Sequence, residues 1–402
     1  MVGAGPPHEK EMEVALGREG GTDLYLPPPK TATKGPASRA AIFFNPTMAF
    51  SRDLSVSVID EEFRLKGRRL SIWDSMAATG VRGMRMLKET RAVERVLATD
   101  LNPMALKVIE ANANLEGSGR LEARRHSARE PPSDGPFDMV DVDPYGTPAP
   151  FIESALSATR DGGILAVTAT DMPVLSGPER TTCEKRYGGA SLRGYLSREA
   201  GLRILISHVS REAAAKERKV SPMMSFIGGY YVRTFLRVAG KRDGTEPNRD
   251  ERSRIGVVPF EGYSGPALPR GAKAGPLWLG PLHDPSFVAG LLPVRSAGAA
   301  KATEQYLGIL AKEVTVDVLF YYETGPLAKH LRLLQPPPRE DILNMLRDSG
   351  WVSERTHASP GGWRTHAPFD EVARLIGHSG NVRTEDSRSG KKGDSLLPPK
   401  PS

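Results

Sequence analysis

From residue 69 onward, short strand-like runs alternate with amphipathic helical ones, and this alternation constrains the fold more than any other feature of the chain. RLSIWD (69–74) is followed by VERVLATD (93–100) and PMALKVIEANANLE (103–116). FDMVDVD (137–143) leads to APFIESALSATR (149–160), and GILAVTAT (163–170), after a loop, to REAGLRILISHVSREAAAKE (198–217). Strands interleaved with helices imply a parallel sheet covered on both faces, an α/β domain. SPMMSFIGGYYVRTFLRV then reads as two strands meeting at Gly228 and Gly229, the composition of a tight hairpin.

Residues 1–40 mix charged residues with Pro and Gly and read as a loosely ordered segment, with LYLPPPK a candidate edge strand. Residues 241–256 read as a charged, solvated loop, and 381–402 as a disordered polar tail. Between about 300 and 375, a helix near 301–313, GPLAKHLRL, a triple-proline break, REDILNMLRDSG and two short strands around SPGG follow the order of a winged helix. The net charge of +7 favours an anionic partner over a neutral one, although a generic basic surface would have the same composition. The single cysteine, Cys183, excludes an internal disulfide and a multi-cysteine zinc site. With no apolar run of membrane-spanning length and no basic-then-apolar leader, the expectation is a cytoplasmic protein with neither a membrane nor a disulfide-linked partner.

DSMAATGVRG (74–83) joins the first strand to a helix. Gly80 and Gly83 would let this turn pass close to a ligand, and the helix N-terminus behind offers unpaired N–H groups. A Gly-x-x-Gly turn alone is a weak cofactor signal. The second strand ends in TDLNP, so Asp100 stands where a carboxylate can accept from both ribose hydroxyls. The glycine pattern is not that of a dinucleotide site. Asp74, ahead of the loop, is placed either to meet the ammonium of an amino-acid moiety, such as that of S-adenosylmethionine, or to cap the helix.

DVDPYG (141–146) follows the third of these strands, at the carboxyl end where ligands of such sheets bind. Asp143 could accept from an exocyclic nucleobase amine, favouring its lone-pair-localised form and the charge that develops on methyl transfer. Pro144 has no N–H and a fixed φ, so it turns a carbonyl toward the cleft without adding a donor. Tyr145 offers a face on which an extruded base can stack. The competing reading is a plain turn, since Asp, Pro and Gly are all turn residues.

A parallel sheet ending in an antiparallel hairpin resembles that of class I S-adenosylmethionine-dependent methyltransferases. More specifically, FFNPTMAFSRDLSV (43–56), DSMAATGVRGMR, TDLNPMAL, DVDPYGTP, VTATD, GPLWLGPL (275–282) and RTHASP (355–360) resemble, in order, blocks of the tRNA (guanine-26-N2)-dimethyltransferase family over residues 40 to 370. The resemblance implies a Rossmann-like, mostly parallel seven-stranded sheet, S-adenosylmethionine as methyl donor and a tRNA acceptor; the sequence leaves the oligomeric state open, with a monomer favoured. It carries Arg52 and Arg82 over as contacts to the donor's carboxylate, Asp100 as ribose ligand, and Asp143, Pro144 and Tyr145 as the amine-binding motif. Phe43 matches an aromatic that could stack on the other face of the base, or is ordinary core. HSARE (126–130) departs from the family, with Ser127 and Ala128 at the adenine-contact positions where an acidic residue is usual. The middle region lacks the cysteines that hold zinc in some relatives, so no metal is expected; Cys183 reads as structural.

The resulting division is an N-terminal segment at 1–40, a methyltransferase domain at 41–256, a tRNA-binding domain with a winged-helix-like region at 257–380, and a tail at 381–402. Lys329, His330, Arg332 and Arg339 are candidate phosphate contacts. The rival readings are methylation of another nucleobase amine, such as adenine N6 or a different guanine, and a non-catalytic RNA-binding protein on the same fold.

Overall fold

The computed structural model describes residues 14–27, 42–240, 254–259, 273–291 and 300–379. Strands β1 (Ala15–Glu19) and β2 (Thr22–Leu26) pair antiparallel across Gly20 and Gly21. Leu24 is fully buried, and the backbone N–H and C=O of Tyr25 both bond to the Asn112 side chain. This stretch, read from the sequence as loosely ordered, is therefore a packed hairpin. The readings of 1–13, 28–41, 241–253 and 381–402 lie outside the described residues.

After α1 (Ala49–Lys66) come β3 (Leu70–Asp74), α2 (Val81–Glu89), β4 (Val93–Asp100), α3 (Pro103–Glu116), β5 (Leu121–Arg125) and β6 (Phe137–Val142). They are followed by α4 (Ile152–Ala158), β7 (Thr159–Ala169), α5 (Met172–Leu175), α6 (Arg180–Tyr187), α7 (Ser197–Ala215), β8 (Lys219–Ile227) and β9 (Val232–Ala239). The strands make one seven-stranded sheet in the order β5-β4-β3-β6-β7-β9-β8. Strands β3 to β7 run parallel, and β9 is antiparallel to both β7 and β8. The final hairpin turns through Gly228 to Tyr231, closed by a 2.8 Å bond from the Gly228 N–H to the Tyr231 carbonyl, and is longer than the Gly-Gly pair alone would require. Side chains of α4 to α7 bury one face of the sheet, and those of α1 and α2 the other.

Local chemistry explains how the elements start and stop. The Asn102 side chain accepts from the Met104 N–H at 3.0 Å and Pro103 fills the first turn of α3, while Gly117 ends that helix at φ 78°. Gly80 enters α2 at φ 71°, a left-handed conformation that a side chain would strain. A Cβ on Gly83 would sit 2.7 Å from Val96 Cγ1, so Gly83 lets α2 lie close on β4 instead of opening the turn to a ligand as read.

Strands β10 (Ile255–Pro259) and β11 (Lys273–Trp278) pair with each other, and α8 (Pro285–Leu291) and α9 (Lys301–Glu313) follow. Ala274, Leu277 and Trp278 join the core beneath α7, while Leu291, Leu307 and Leu310 join the core beneath α1. The boundary read at residue 256 therefore coincides with no break in packing, because the next 57 residues include elements that complete the catalytic body. Beyond them, β12 (Tyr322–Glu323), α10 (Thr324–His330), α11 (Arg339–Asp348), β13 (Ser353–Arg355), β14 (Gly362–Thr365) and α12 (Phe369–Ser379) enclose a separate core around Leu346 and Trp363. Its three strands lie in the order β12-β14-β13, one strand more than the pair read from the sequence.

Buried charge joins this unit to the catalytic body. Arg364 on β14 donates to Glu199 of α7 at 2.8 Å and to Glu313 of α9 at 2.7 Å, and Arg203 also donates to Glu199 at 2.8 Å. All four side chains are almost entirely removed from solvent.

Candidate active site

The strand order reverses between β3 and β6, and a ligand crevice is expected outside the carboxyl ends of the strands at such a point. A cavity of about 930 Å³ opens there. Its wall brings together Phe43, Arg52, Asp74, Arg82, Asp143, Pro144 and Tyr145, seven of the side chains singled out from sequence. Gly80, Asp100, Ser127 and Ala128 are not part of that wall. Asp100 instead braces it: Oδ2 accepts from the N–H of Ala78, which does line the cavity, at 3.0 Å, and Oδ1 accepts from the Asn102 N–H at 2.9 Å. Ser127 accepts from the Arg129 N–H at 3.3 Å, and the buried Ala128 offers its carbonyl to Ser154.

Asp74 and Asp141 lie opposite each other in the β3–β6 register, and Asp143 follows two residues later. Arg82 donates to Asp143 and, at 2.7 Å, to Ser55, and its Nε lies 3.5 Å from Asp141. Arg233, fully buried on β9, donates to both oxygens of Asp141 and to Thr168. Burial works against ionisation of Asp141, but Arg233 and Arg82 outweigh it and hold its carboxyl below the ordinary range. Asp74 has no such pairing. Burial, with Asp141 and Asp143 nearby, pushes its carboxyl up to about 7, against the opposing pull of Arg82 and Arg233. Its Oδ2 is buried without a hydrogen-bond partner, and it makes no side-chain cap to α2.

Charge balance states what fits. Three carboxylates, Asp74, Asp141 and Asp143, face two guanidinium groups, Arg82 and Arg233, leaving one negative charge unmatched when all are ionised. A ligand ammonium beside Asp74 would neutralise the group and fill the vacant acceptor. Arg52 sits on the same wall, donating Nε and Nη2 to Glu19 and Nη2 also to the Asn45 carbonyl at 3.1 Å.

At the mouth, Phe43 and Tyr145 are 42% and 65% exposed, so Phe43 is not core packing. Their rings meet edge to face, with centroids 6.2 Å apart and planes at 62°. A base stacked between parallel rings needs about 7 Å, twice a van der Waals contact of about 3.5 Å, so a sandwich requires one ring to turn. Pro144 is buried behind them. Arg233 and Glu19 were not singled out from the sequence. The signal for Arg233 is the alternation of YYVRTFLRV, which turns it to the same side of its strand as Tyr231 and Phe235, both in the core.

Cys183 is buried, and burial pushes its thiol up to about 11, which suits the structural role read for it. His283, Glu313 and His357 offer metal-ligand atoms within 4.8 Å of one another. Glu313 is already occupied by Thr356 at 2.6 Å and by Arg364 and the backbone and ring of His357 at 2.7 Å, while His283 Nδ1 accepts from the Ser225 N–H at 3.3 Å. These contacts tie α9, β8 and the C-terminal unit together.

A family model described as N2,N2-dimethylguanosine tRNA methyltransferase matches residues 28–258 and 268–377. The chain belongs to this family. Among its curated relatives, the tRNA (guanine(26)-N(2))-dimethyltransferase of Saccharolobus solfataricus is 33% identical over 378 residues, covering 89% of this chain and 97% of the relative. The enzyme of the same name from Thermococcus kodakarensis is 33% identical over 393 residues, covering 91% and 99%. A solved family structure, Trm1 from Pyrococcus horikoshii in complex with S-adenosyl-L-methionine, superposes with a TM-score of 0.78 at 27% identity, covering 90% of this chain and 99% of that one. Family membership thus agrees with the motifs that line the cavity.

Proposed function

We propose that this chain carries out the reaction for which its relatives are named: transfer of methyl groups from S-adenosylmethionine to the N2 amine of guanine 26 in tRNA, giving N2,N2-dimethylguanosine. The observation that carries this reading is the unpartnered buried oxygen of Asp74, in one cavity with Asp143 and two exposed rings. When bound, the donor supplies an electrophilic methyl group on a sulfonium. Asp74 holds its ammonium and Arg52 its carboxylate, while Asp100 acts from behind the wall by fixing the Ala78 backbone. Asp143 and the Pro144 carbonyl accept from the guanine amine, so that the nitrogen lone pair is localised and the developing positive charge stabilised. Tyr145 and Phe43 take the extruded base between them after a ring rotation. Arg82, whose N–H groups serve Ser55, Asp143 and Asp141, orients the acceptor carboxylate rather than spending itself on the donor. Mass spectrometry of nucleosides from tRNA treated with protein and labelled donor tests the reaction: the label is expected in dimethylguanosine and lost when guanine 26 is replaced. Label in a methylated adenine would overturn it.

The Asp74 carboxyl near 7 sets the pH dependence of donor binding. The ammonium needs the ionised carboxylate, so affinity declines about tenfold per pH unit below 7, levels off above it, and falls again where the ligand's own ammonium loses its proton. Titration calorimetry from pH 6 to 8.5 should show that slope, and Asp74→Asn should weaken binding and flatten it.

The winged-helix-like unit is the candidate tRNA contact. Lys329 is exposed at the end of α10, whereas Arg339 is engaged by Glu340 at 3.0 Å and by the Pro360 carbonyl. Affinity for tRNA should drop steeply with salt, and Lys329→Ala should lower the slope of log affinity against log salt by about one. A slope unchanged in that variant would place the phosphate contacts elsewhere.

A further inference from the structure

The N-terminal hairpin does more than cover the sheet. Glu19, the last residue of β1, grips Arg52 through two N–H groups, while the second Nη2 hydrogen goes to Asn45. A guanidinium has five N–H donors, so this arrangement leaves the Nη1 pair for whatever enters the cavity. The same Glu19 Oε1 accepts from Arg85 at 3.1 Å. Arg85 is fully buried and also bonds Glu89 at 2.7 Å and Asp53 at 2.6 Å. Glu19 is therefore the anion shared by two guanidinium groups; without it Arg85 would keep Glu89 and Asp53, whereas Arg52 would lose the carboxylate that holds it and, being on the cavity wall, has room to swing away. Two further bonds seat the hairpin: the Gly21 N–H and the Thr22 hydroxyl donate to Glu89 at 3.1 and 3.0 Å. Glu19 lies outside the residues matched by the family model, which begin at 28.

We propose that Glu19 is a positioning residue of the donor site, aiming Arg52 so that its Nη1 edge receives the carboxylate of an amino-acid-bearing nucleoside. The proposal rests on the reading that Arg52 meets the donor's carboxylate, and the two can fail separately. Two product-like probes divide the ligand: S-adenosylhomocysteine carries the amino-acid moiety, and 5′-methylthioadenosine lacks it. Glu19→Gln keeps the shape of the side chain and removes its charge. It should weaken S-adenosylhomocysteine about tenfold, the value of one charge-assisted hydrogen bond, and leave 5′-methylthioadenosine within about twofold. Turnover at saturating donor should hold while KM for the donor rises.

Thr22→Val serves as the structural control. It loosens the same hairpin at Glu89 without touching Arg52, and should lower the melting temperature with no change in the ratio of the two affinities. Tighter binding of S-adenosylhomocysteine in Glu19→Gln would overturn the proposal, by showing that Glu19 competes with the ligand for Arg52. Equal weakening of both probes, or the same ratio change in Thr22→Val, would also overturn it, by reducing Glu19 to fold support. If Arg52→Ala itself leaves the ratio unchanged, the carboxylate reading of Arg52 fails and the proposal with it. If Arg52→Ala shifts the ratio and Glu19→Gln does not, only the role of Glu19 fails.

Discussion

Asp143→Asn should lower turnover with tRNA by about 10²–10³ while the affinity for S-adenosylmethionine changes little. The amide keeps the size of the side chain and one acceptor oxygen, but places a donor NH2 where the guanine amine also donates. The lost stabilisation appears only as charge develops on the nitrogen, a role commonly worth about 3–4 kcal/mol. The Arg82 contact makes the substitution more informative. The Asp143 carboxylate is paired with that guanidinium, so removing its charge leaves Arg82 with Asp141 and Ser55. Donor affinity should survive this because Asp74 and Arg52 lie on other elements, at the end of β3 and in α1. Single-turnover rates with labelled donor, alongside calorimetry, separate the two quantities. A variant that keeps most of its single-turnover rate would remove Asp143 from the acceptor role.

The second large effect concerns stability. Arg364→Ala strips the shared cation from Glu199 and Glu313, both buried, and should destabilise the fold by about 3–5 kcal/mol. Glu199 would retain Arg203, while Glu313 would keep His357 and Thr356. The loss is therefore placed at the junction of the units, and chemical denaturation monitored by Trp278 and Trp363, one in each core, should show both unfolding earlier. A loss under about 1 kcal/mol would mean that water reaches the junction. For the same reason a chain ended near residue 256 is expected not to fold, since it lacks Trp278, Leu307 and Leu310 as well as Arg364.

The parts legible in the sequence were those governed by periodicity. The strands β3, β4, β6 and β7 and the helices α3 and α7 announce themselves because each side chain's burial follows from its place along one element. The edge strand β5 does not, since LEARR holds three charged residues and has only one neighbouring strand to bury it. The hairpin at 15–26 had a signal that composition hid: Gly20 and Gly21 stand between two short runs, as a two-residue turn requires, inside a stretch otherwise rich in charge and proline. Within the site, the acidic residues at strand ends were legible because topology assigns that position to ligands. Buried arginines were not. Arg85, Arg203, Arg233 and Arg364 look like surface residues in one dimension; Asp53, Asp141 and Glu199 are brought from distant parts of the chain to Arg85, Arg233 and Arg364, whereas Arg203 pairs with Glu199 one turn away and meets the distant carbonyls of Trp278 and Gly280. The orientation of Phe43 and Tyr145 was equally out of reach, because a stacking role specifies ring types and not their dihedral angles.

The junction at Arg364 has a mechanical consequence. Two apolar faces can slide past one another at modest cost, since one methyl contact replaces another. A guanidinium forked between two carboxylates has no neighbouring position of equal energy, because any displacement strands a buried charge. The C-terminal unit is pinned rather than greased against the catalytic body. The span from the exposed end of α10 to Asp143 is then a property of the protein, like the opening of a locked calliper; on the proposed reading, in which Lys329 meets a phosphate and Asp143 the guanine amine, an RNA must bring both groups to that separation.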